Sequence, residues 1–351
     1  MCTDTVARGG ASVAAPQPPA GLWHDLEPAT TFILDPVDSV ELTTLVDNVV
    51  LPPDEGPAAR PPPSGGPRRD STTMAEGWGP DALVAQHGYS LLVTVTKGEV
   101  SHSVLFDTGI TPDGAVDNMR RLGVDPSSIE AVVCSHGHYD HTGGLDGLAR
   151  VLGPRRLPVV LHPHFWRRRR VVAPGSERRE LPTTSRRALA DAGFEVVEDP
   201  YPSFLLAGSV LVTGEVARTT GYEPGFPGQE AWTGSTWEPD RMVLDDQALV
   251  VDVRGKGLVV VTGCGHAGVV NVCRWARRLT GERPLHAVVG GFHLGGAAFE
   301  PLIPQVLDGL GGLGPQLVMA GHCTGWRAQH ALAGRFGDAY VASSVGARLA
   351  V

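Results

Sequence analysis

Apolar and polar positions alternate in short blocks, and the period of each block predicts its element. SLLVTV (90–95) and HSVLFDTG (102–109) read as strands close enough to pair as a hairpin. DGAVDNMRRLG (113–123) has helical spacing, IEAVVCSHGH (129–138) is a strand running into a His-rich turn, and GGLDGLARVLG (143–153) is a helix before the strand LPVVLHP (157–163). The second half repeats this style. ALVVDVRGKGLVVVTGCGH (248–266) is a hairpin, followed by helix 269–279, strand 285–294, helix 301–310, strand 316–325 and helix 326–337. Strands that end in Gly/His-rich loops and feed helices indicate a layered α/β architecture. An earlier apolar stretch (40–51) reads as one more strand.

The rest of the chain lacks periodicity. Residues 1–38 are rich in Ala, Pro and Gly and read as a loosely attached tail, leaving 39–351 as a single domain. Three long loops are expected within it, at 52–80, 163–187 and 216–243; loops of such length are often functional. Of 351 residues, 42% are hydrophobic and 19% charged, so a packed core is expected and bulk disorder is not. The net charge of −9 disfavours a nucleic-acid clamp or a polybasic membrane binder. No apolar run approaches the ~18–20 residues of a membrane helix, and the N-terminus has no secretory pattern. Five widely spaced cysteines do not form a disulfide framework, so a cytoplasmic setting is expected. Nothing in the chain speaks to oligomeric state.

The chemistry concentrates in Ser135-His136-Gly137-His138-Tyr139-Asp140-His141-Thr142-Gly143-Gly144. In extended chain, positions i and i+2 face one side, so His136 and His138 can grip one ion. The following turn lets Asp140 and His141 face a second ion. Imidazole and carboxylate suit zinc, and also manganese or iron. A polar turn that merely caps a helix would not need three histidines and an aspartate in six positions. Four ligands do not complete two ions. His266, after Thr262-Gly263-Cys264-Gly265, and His322, after Gly321, both end apolar strands and are expected to converge on the same edge. Cys264 can add a thiolate, because metals deprotonate thiols. His293 ends a comparable strand and is expected to act on substrate, alongside Asp140, as a catalytic group. Asp107 is expected to orient a ligand histidine or the turn. Arg167 and Arg170 in a basic stretch, Trp232 and Trp237 in an aromatic one, and His87 are the candidate substrate-binding residues, although arginine runs are commonly solvated and loop aromatics commonly pack locally.

His136-x-His138-x-Asp140-His141 after a strand, with Asp107-Thr108-Gly109 before it and Gly143-Gly144 after it, resembles the metallo-β-lactamase superfamily. LVDN (45–48), HGYS (87–90), DDQALVV (245–251), VTGCGHAGVVN (261–271), GGFHL (290–294) and GHCTG (321–325) make the chain similar to the subfamily of 7,8-dihydropterin-6-methyl-4-(β-D-ribofuranosyl)aminobenzene-5′-phosphate synthase, over roughly residues 40–350. The resemblance implies a four-layer αββα sandwich and two divalent metal ions, usually zinc. His136 and His138 would serve one ion, Asp140 and His141 the other, with His322 as the late histidine. The chain departs from the pattern in having Cys264 where the superfamily has a bridging aspartate, with His266 two residues on. Whether Cys264, Asp245 or Asp246 coordinates stays open. The implied activity is a metal-dependent hydrolase acting on an ester, lactone, thioester or phosphoester of small, anionic type. Two alternatives stand beside it. One is a transferase joining a pterin-methyl diphosphate to an arylamine with release of diphosphate; the other is a non-hydrolytic redox di-iron or binding protein.

Overall fold

The computed structural model describes residues 31–51, 59–60, 67–172 and 177–351. Two large mixed sheets carry the fold. The first has eight strands and is built around Ser39–Val46, Ser90–Lys97, Val100–Phe106, Ile129–Val133, Leu157–Leu161 and Phe194–Glu198. The second has seven, with Val210–Val212, Leu249–Val253, Gly257–Thr262, Leu285–Gly291, Leu317–Gly321 and Tyr340–Ala342 at its centre and far edge. The central strands, such as Leu249–Val253 and Gly257–Thr262, are buried on both faces, which is why they read as near-continuous Val/Leu runs.

Three apolar clusters fill the spaces between layers. Leu42, Leu91, Val93, Val104, Val251, Val259 and Val289 meet between the sheets. Helices Gly114–Leu122 and Leu145–Leu152 cover the outside of the first sheet through Met119, Leu122 and Leu148. Helices Val269–Leu279, Ile303–Leu313 and Trp326–Phe336 cover the second through Trp275, Val306 and Leu332. This is the αββα sandwich. Strands 100–106, 129–133 and 157–161 run parallel, as do 257–262, 285–291 and 317–321. Parallel strands deliver their carboxyl ends to a common edge, where α/β ligand sites form.

Two expectations change. Residues 31–38 pack onto the domain rather than trailing from it. Leu34 and Val37 are buried, and backbone bonds run from Phe32 N to Leu279 O and from Val37 N to Asp252 O. The earlier part of the expected tail lies outside the described residues. The stretches 163–187 and 216–243 are also not plain loops. Arg169–Val171, Arg179–Glu180, Gln229–Trp232 and Trp237–Pro239 form a four-stranded antiparallel sheet. Strands of two to four residues flanked by Gly and Pro carry too little periodicity to show in a sequence. Among the described residues, no helix is long and apolar enough to cross a membrane.

Candidate metal centre

Strand Ile129–Val133 hands the chain to Ser135, and the turn that follows places His136, His138, Asp140 and His141 in one buried patch. From the second sheet, Cys264 and His266 leave the end of Gly257–Thr262, and His322 leaves the end of Leu317–Gly321. The donor atoms of His136, His138 and His266 lie within 4.8 Å of one another. Those of Asp140, His141, Cys264 and His322 do the same. Cys264 also groups with His266 and His293, so its sulfur sits between the sets. Close approach of the two sheets depends on glycine here. A Cβ on Gly137 would lie 2.2 Å from Phe165 O, and one on Gly263 would lie 2.1 Å from Ser135 Oγ.

Hydrogen bonds fix which nitrogen each imidazole turns inward. His138 Nε2 donates to Gln229 Oε1 at 2.6 Å, which leaves Nδ1 as a lone pair. His136 Nδ1 donates to Ser135 Oγ at 2.9 Å, while Ser135 Oγ donates to Asp107 Oδ2 at 2.7 Å, so His136 Nε2 is also a lone pair. Those two lone pairs face each other at 2.9 Å, with His266 Nε2 at 3.2 Å from His138 Nδ1. His266 Nδ1 and His322 Nδ1 are buried without partners. Lone pairs cannot bond one another. A cation among His136 Nε2, His138 Nδ1 and His266 Nε2 would satisfy those three inward nitrogens, though not the two Nδ1 atoms on the far sides of the His266 and His322 rings, and the donor chemistry therefore fits a borderline divalent metal.

The second set is built around charge. His141 Nδ1 donates to Asp107 Oδ2 at 2.6 Å, leaving Nε2 to face Cys264 Sγ at 3.1 Å and Asp140 Oδ2 at 3.7 Å. His322 Nε2 is 3.4 Å from both Cys264 Sγ and Asp140 Oδ2. Asp107 thus orients a histidine, and its Oδ1 also accepts Ser135 N–H at 2.7 Å. Burial and neighbouring cationic groups hold His136 and His266 far below the ordinary imidazole value, and bring His138 to about 4. These rings are neutral and available as ligands at pH 7. Burial would lower His141 too, but Asp107 and Asp140 outweigh it and raise it to about 9. Burial would raise Asp140, yet His141 and His322 draw it below the usual carboxylate range. Asp107, His293 and His322 all have positive φ (59°, 44° and 49°), which is costly for non-glycine residues and collects at functional sites.

The family model of the metallo-beta-lactamase superfamily matches residues 84–188. The chain is 30% identical to a 7,8-dihydropterin-6-methyl-4-(beta-D-ribofuranosyl)-aminobenzene-5'-phosphate synthase of Methanocaldococcus jannaschii, over 70% of this chain and 83% of the relative. The chain belongs to the metallo-β-lactamase superfamily. A second protein of that archaeon, with no activity in its name, is 29% identical over 70% of this chain and 86% of its own length. The crystal structure of a metal-dependent hydrolase of the beta-lactamase superfamily shares the fold with a TM-score of 0.63 at 22% identity, covering 88% of this chain and 98% of that one.

Within this superfamily fold, the other expected residues fall at different places. His87 is exposed at the rim, its ring stacked 5.2 Å from His322 and its Nδ1 3.0 Å from Asn48 Oδ1. His293 sits 4.3 Å from the His266 ring, between Phe226 and Phe299. Arg167, Arg170, Trp232 and Trp237 were expected to face substrate, but their contacts lie within the small sheet. Arg167 bonds Asp240 at 2.8 Å, Arg170 bonds Glu230 at 2.6 Å and covers Trp237, and the two indoles are 5.5 Å apart. Acidic neighbours, Glu230 on the adjacent strand and Asp240 just past Pro239, satisfy the arginines locally. Asp245 and Asp246 belong to neither donor set. Asp245 accepts from Gly137 N at 2.8 Å and pairs with Arg169, while Asp246 accepts from Ala267 N at 2.8 Å and burial pushes it up to about 7. Sequence reasoning gave no role to Asp47, whose Oδ1 accepts His322 N–H at 2.8 Å and whose Oδ2 accepts Ser343 Oγ–H at 2.6 Å. It also missed Gln229 and Arg169. The Asp47 motif was a signal; Gln229 had none.

Proposed function

We propose that this protein is a metal-dependent hydrolase in which His136, His138 and His266 hold one divalent ion and Asp140, His141 and His322 hold another, with Cys264 between them. Zinc is the first candidate, ahead of manganese or iron. The observation that supports it is the inward convergence of lone pairs from both sheets, with His138 Nδ1 2.9 Å from His136 Nε2 and 3.2 Å from His266 Nε2. Ions held there would supply Lewis acidity that activates water and stabilises developing negative charge on oxygen. Asp140 is the donor with side-chain exposure, 15%, and is therefore placed to orient water on the open side. His293 supplies an imidazole beside the donors, with Nδ1 buried and unpartnered, to carry a proton towards a leaving group. His87 at the rim would meet the substrate. That substrate is a small anionic ester, lactone, thioester or phosphoester.

Likeness to the named synthase favours a second reading, transfer rather than hydrolysis. In it an arylamine attacks a pterin-methyl diphosphate, a C–N bond forms, a C–O bond breaks and diphosphate leaves. Phe226, with Phe299 behind His293, offers a flat apolar wall for a ring. The test is one experiment with two arms. Metal-loaded protein is assayed on a panel of esters, lactones, thioesters and phosphoesters, and separately for diphosphate release with a pterin-methyl diphosphate and arylamines. Turnover in the first arm, lost in His138→Ala, is expected for the hydrolase. Diphosphate release that needs the amine establishes the transferase instead. Silence in both arms with two ions bound overturns both, and iron in the purified protein would point to a redox centre.

A further inference from the structure

The four consecutive arginines Arg167–Arg170 look like one basic stretch, but the strand period separates them. Arg168 bonds Glu180 near the exposed edge of the small sheet, and Arg170 bonds Glu230 across its two central strands. Arg169 points the other way and is 1% exposed. A guanidinium has five donors and no lone pair, so it cannot ligate metal. Burying one is expensive unless each donor direction is answered. Here the answers lead to the metal centre.

We propose that Arg169 is a positioning residue for the His136–His138–His266 donor set, acting along two arms. In the first, Nη1 and Nη2 fork onto Asp245, with Nη1 3.0 Å from Oδ2. That same Oδ2 accepts the N–H of Gly137 at 2.8 Å, and Gly137 is the residue between the two histidines. In the second, Nε donates to Asp240 Oδ2 at 2.8 Å. Asp240 Oδ2 also accepts from Gln229 Nε2 at 3.3 Å, which turns Gln229 Oε1 towards His138 Nε2 at 2.6 Å. The chain guanidinium–carboxylate–amide–imidazole dictates the His138 tautomer and so aims the Nδ1 lone pair inward. One buried cation therefore sets the backbone between two ligands and the ring of one of them. The small sheet places Arg169 opposite Ala231 and so two residues from Gln229, making it a brace for the site. Outer contacts of this kind typically govern metal affinity by about 10–100-fold.

This inference rests on the proposed metal-binding role of that donor set. The test uses the full chain, stripped of metal and titrated with Co²⁺, with the visible spectrum and the dissociation constant of each ion as readouts. Arg169→Lys keeps the charge but loses the fork, and Gln229→Leu cuts the second arm at its far end without disturbing the arginine pairs. Both variants are expected to weaken one ion by about 10–100-fold and shift its d–d bands, while the ion of the Asp140 set keeps its affinity. In a folded variant, loss of both affinities together would overturn the proposal, as would two ions held as tightly as in the unsubstituted chain. If Arg169→Lys does not fold, Gln229→Leu decides. Failure of the unsubstituted chain to bind two ions overturns the metal reading itself, an outcome distinct from the variants matching it.

Discussion

At the scale of single residues, Cys264 is the group whose chemistry is most unlike its setting. Burial raises its thiol well above the ordinary value, so without a cation it stays protonated. A bound divalent ion would reverse this and deprotonate it. Cys264→Ser is expected to keep the fold, because the hydroxyl fits the same turn, and to abolish the thiolate-to-metal absorption of the Co²⁺-loaded protein. Affinity for at least one ion should fall by more than the ~10-fold that losing an outer contact costs. An unchanged ultraviolet spectrum would show that the sulfur does not coordinate. The donors themselves were legible in the chain because they sit in dense runs, such as SHGHYDH and GCGH. Residues that act through another group were not. Asp47 holds the backbone of His322 from 275 positions away, and Gln229 holds His138 from 91. Of the two, only Asp47 lies in a motif, LVDN (45–48), and that motif assigned it no role; nothing local marks Gln229.

Among the elements, the long strands were legible from their unbroken Val/Leu runs, whereas the four-stranded brace was not. Its pairs are set by partners such as Arg169 and Ala231, which only the tertiary fold brings together. The helix Val269–Leu279 gives a second example. The residue that caps its N-terminus, Gly268, has no side chain to offer, yet the N–H groups of Val270 and Asn271 are both satisfied by Glu223, at 2.8 and 2.9 Å. Burial raises the pKa of Glu223 above the ordinary glutamate value, and the two N–H bonds only partly offset it. A carboxyl group raised on folding contributes stability that is fully present below its unfolded pKa and is lost as pH rises through its folded one. Glu223→Gln keeps an acceptor without the charge. It should therefore remove that downward slope above the unfolded value, while costing about 0.5–2 kcal/mol from the weakened cap at acidic pH. Urea midpoints across pH 4 to 8 measure both, and parallel profiles for the two proteins would contradict the assignment.

For the molecule as a whole, the centre is a seam between two sheets. His136, His138, Asp140 and His141 come from the first, and Cys264, His266 and His322 from the second. The rule that parallel strands present their carboxyl ends together made this convergence readable in advance. The docking of residues 31–38 was not readable, since Leu34 and Val37 are isolated apolar positions in a Pro-rich stretch. A cation held across the seam binds the folded state and not the separated sheets. With each ion at about 100 times its dissociation constant, binding adds roughly 2.7 kcal/mol. For a domain of this size, loss of two ions should lower Tm by roughly 10 °C. A chelator should produce that fall, and excess zinc should restore it. His138→Ala and His322→Ala should each start lower than the unsubstituted chain in zinc and respond less to the chelator, because each removes a donor from a different set. A Tm that ignores the chelator would mean that the facing lone pairs are not closed by metal. Equal drops in both variants and the unsubstituted chain would mean that the stabilising ions are held by groups other than His138 and His322.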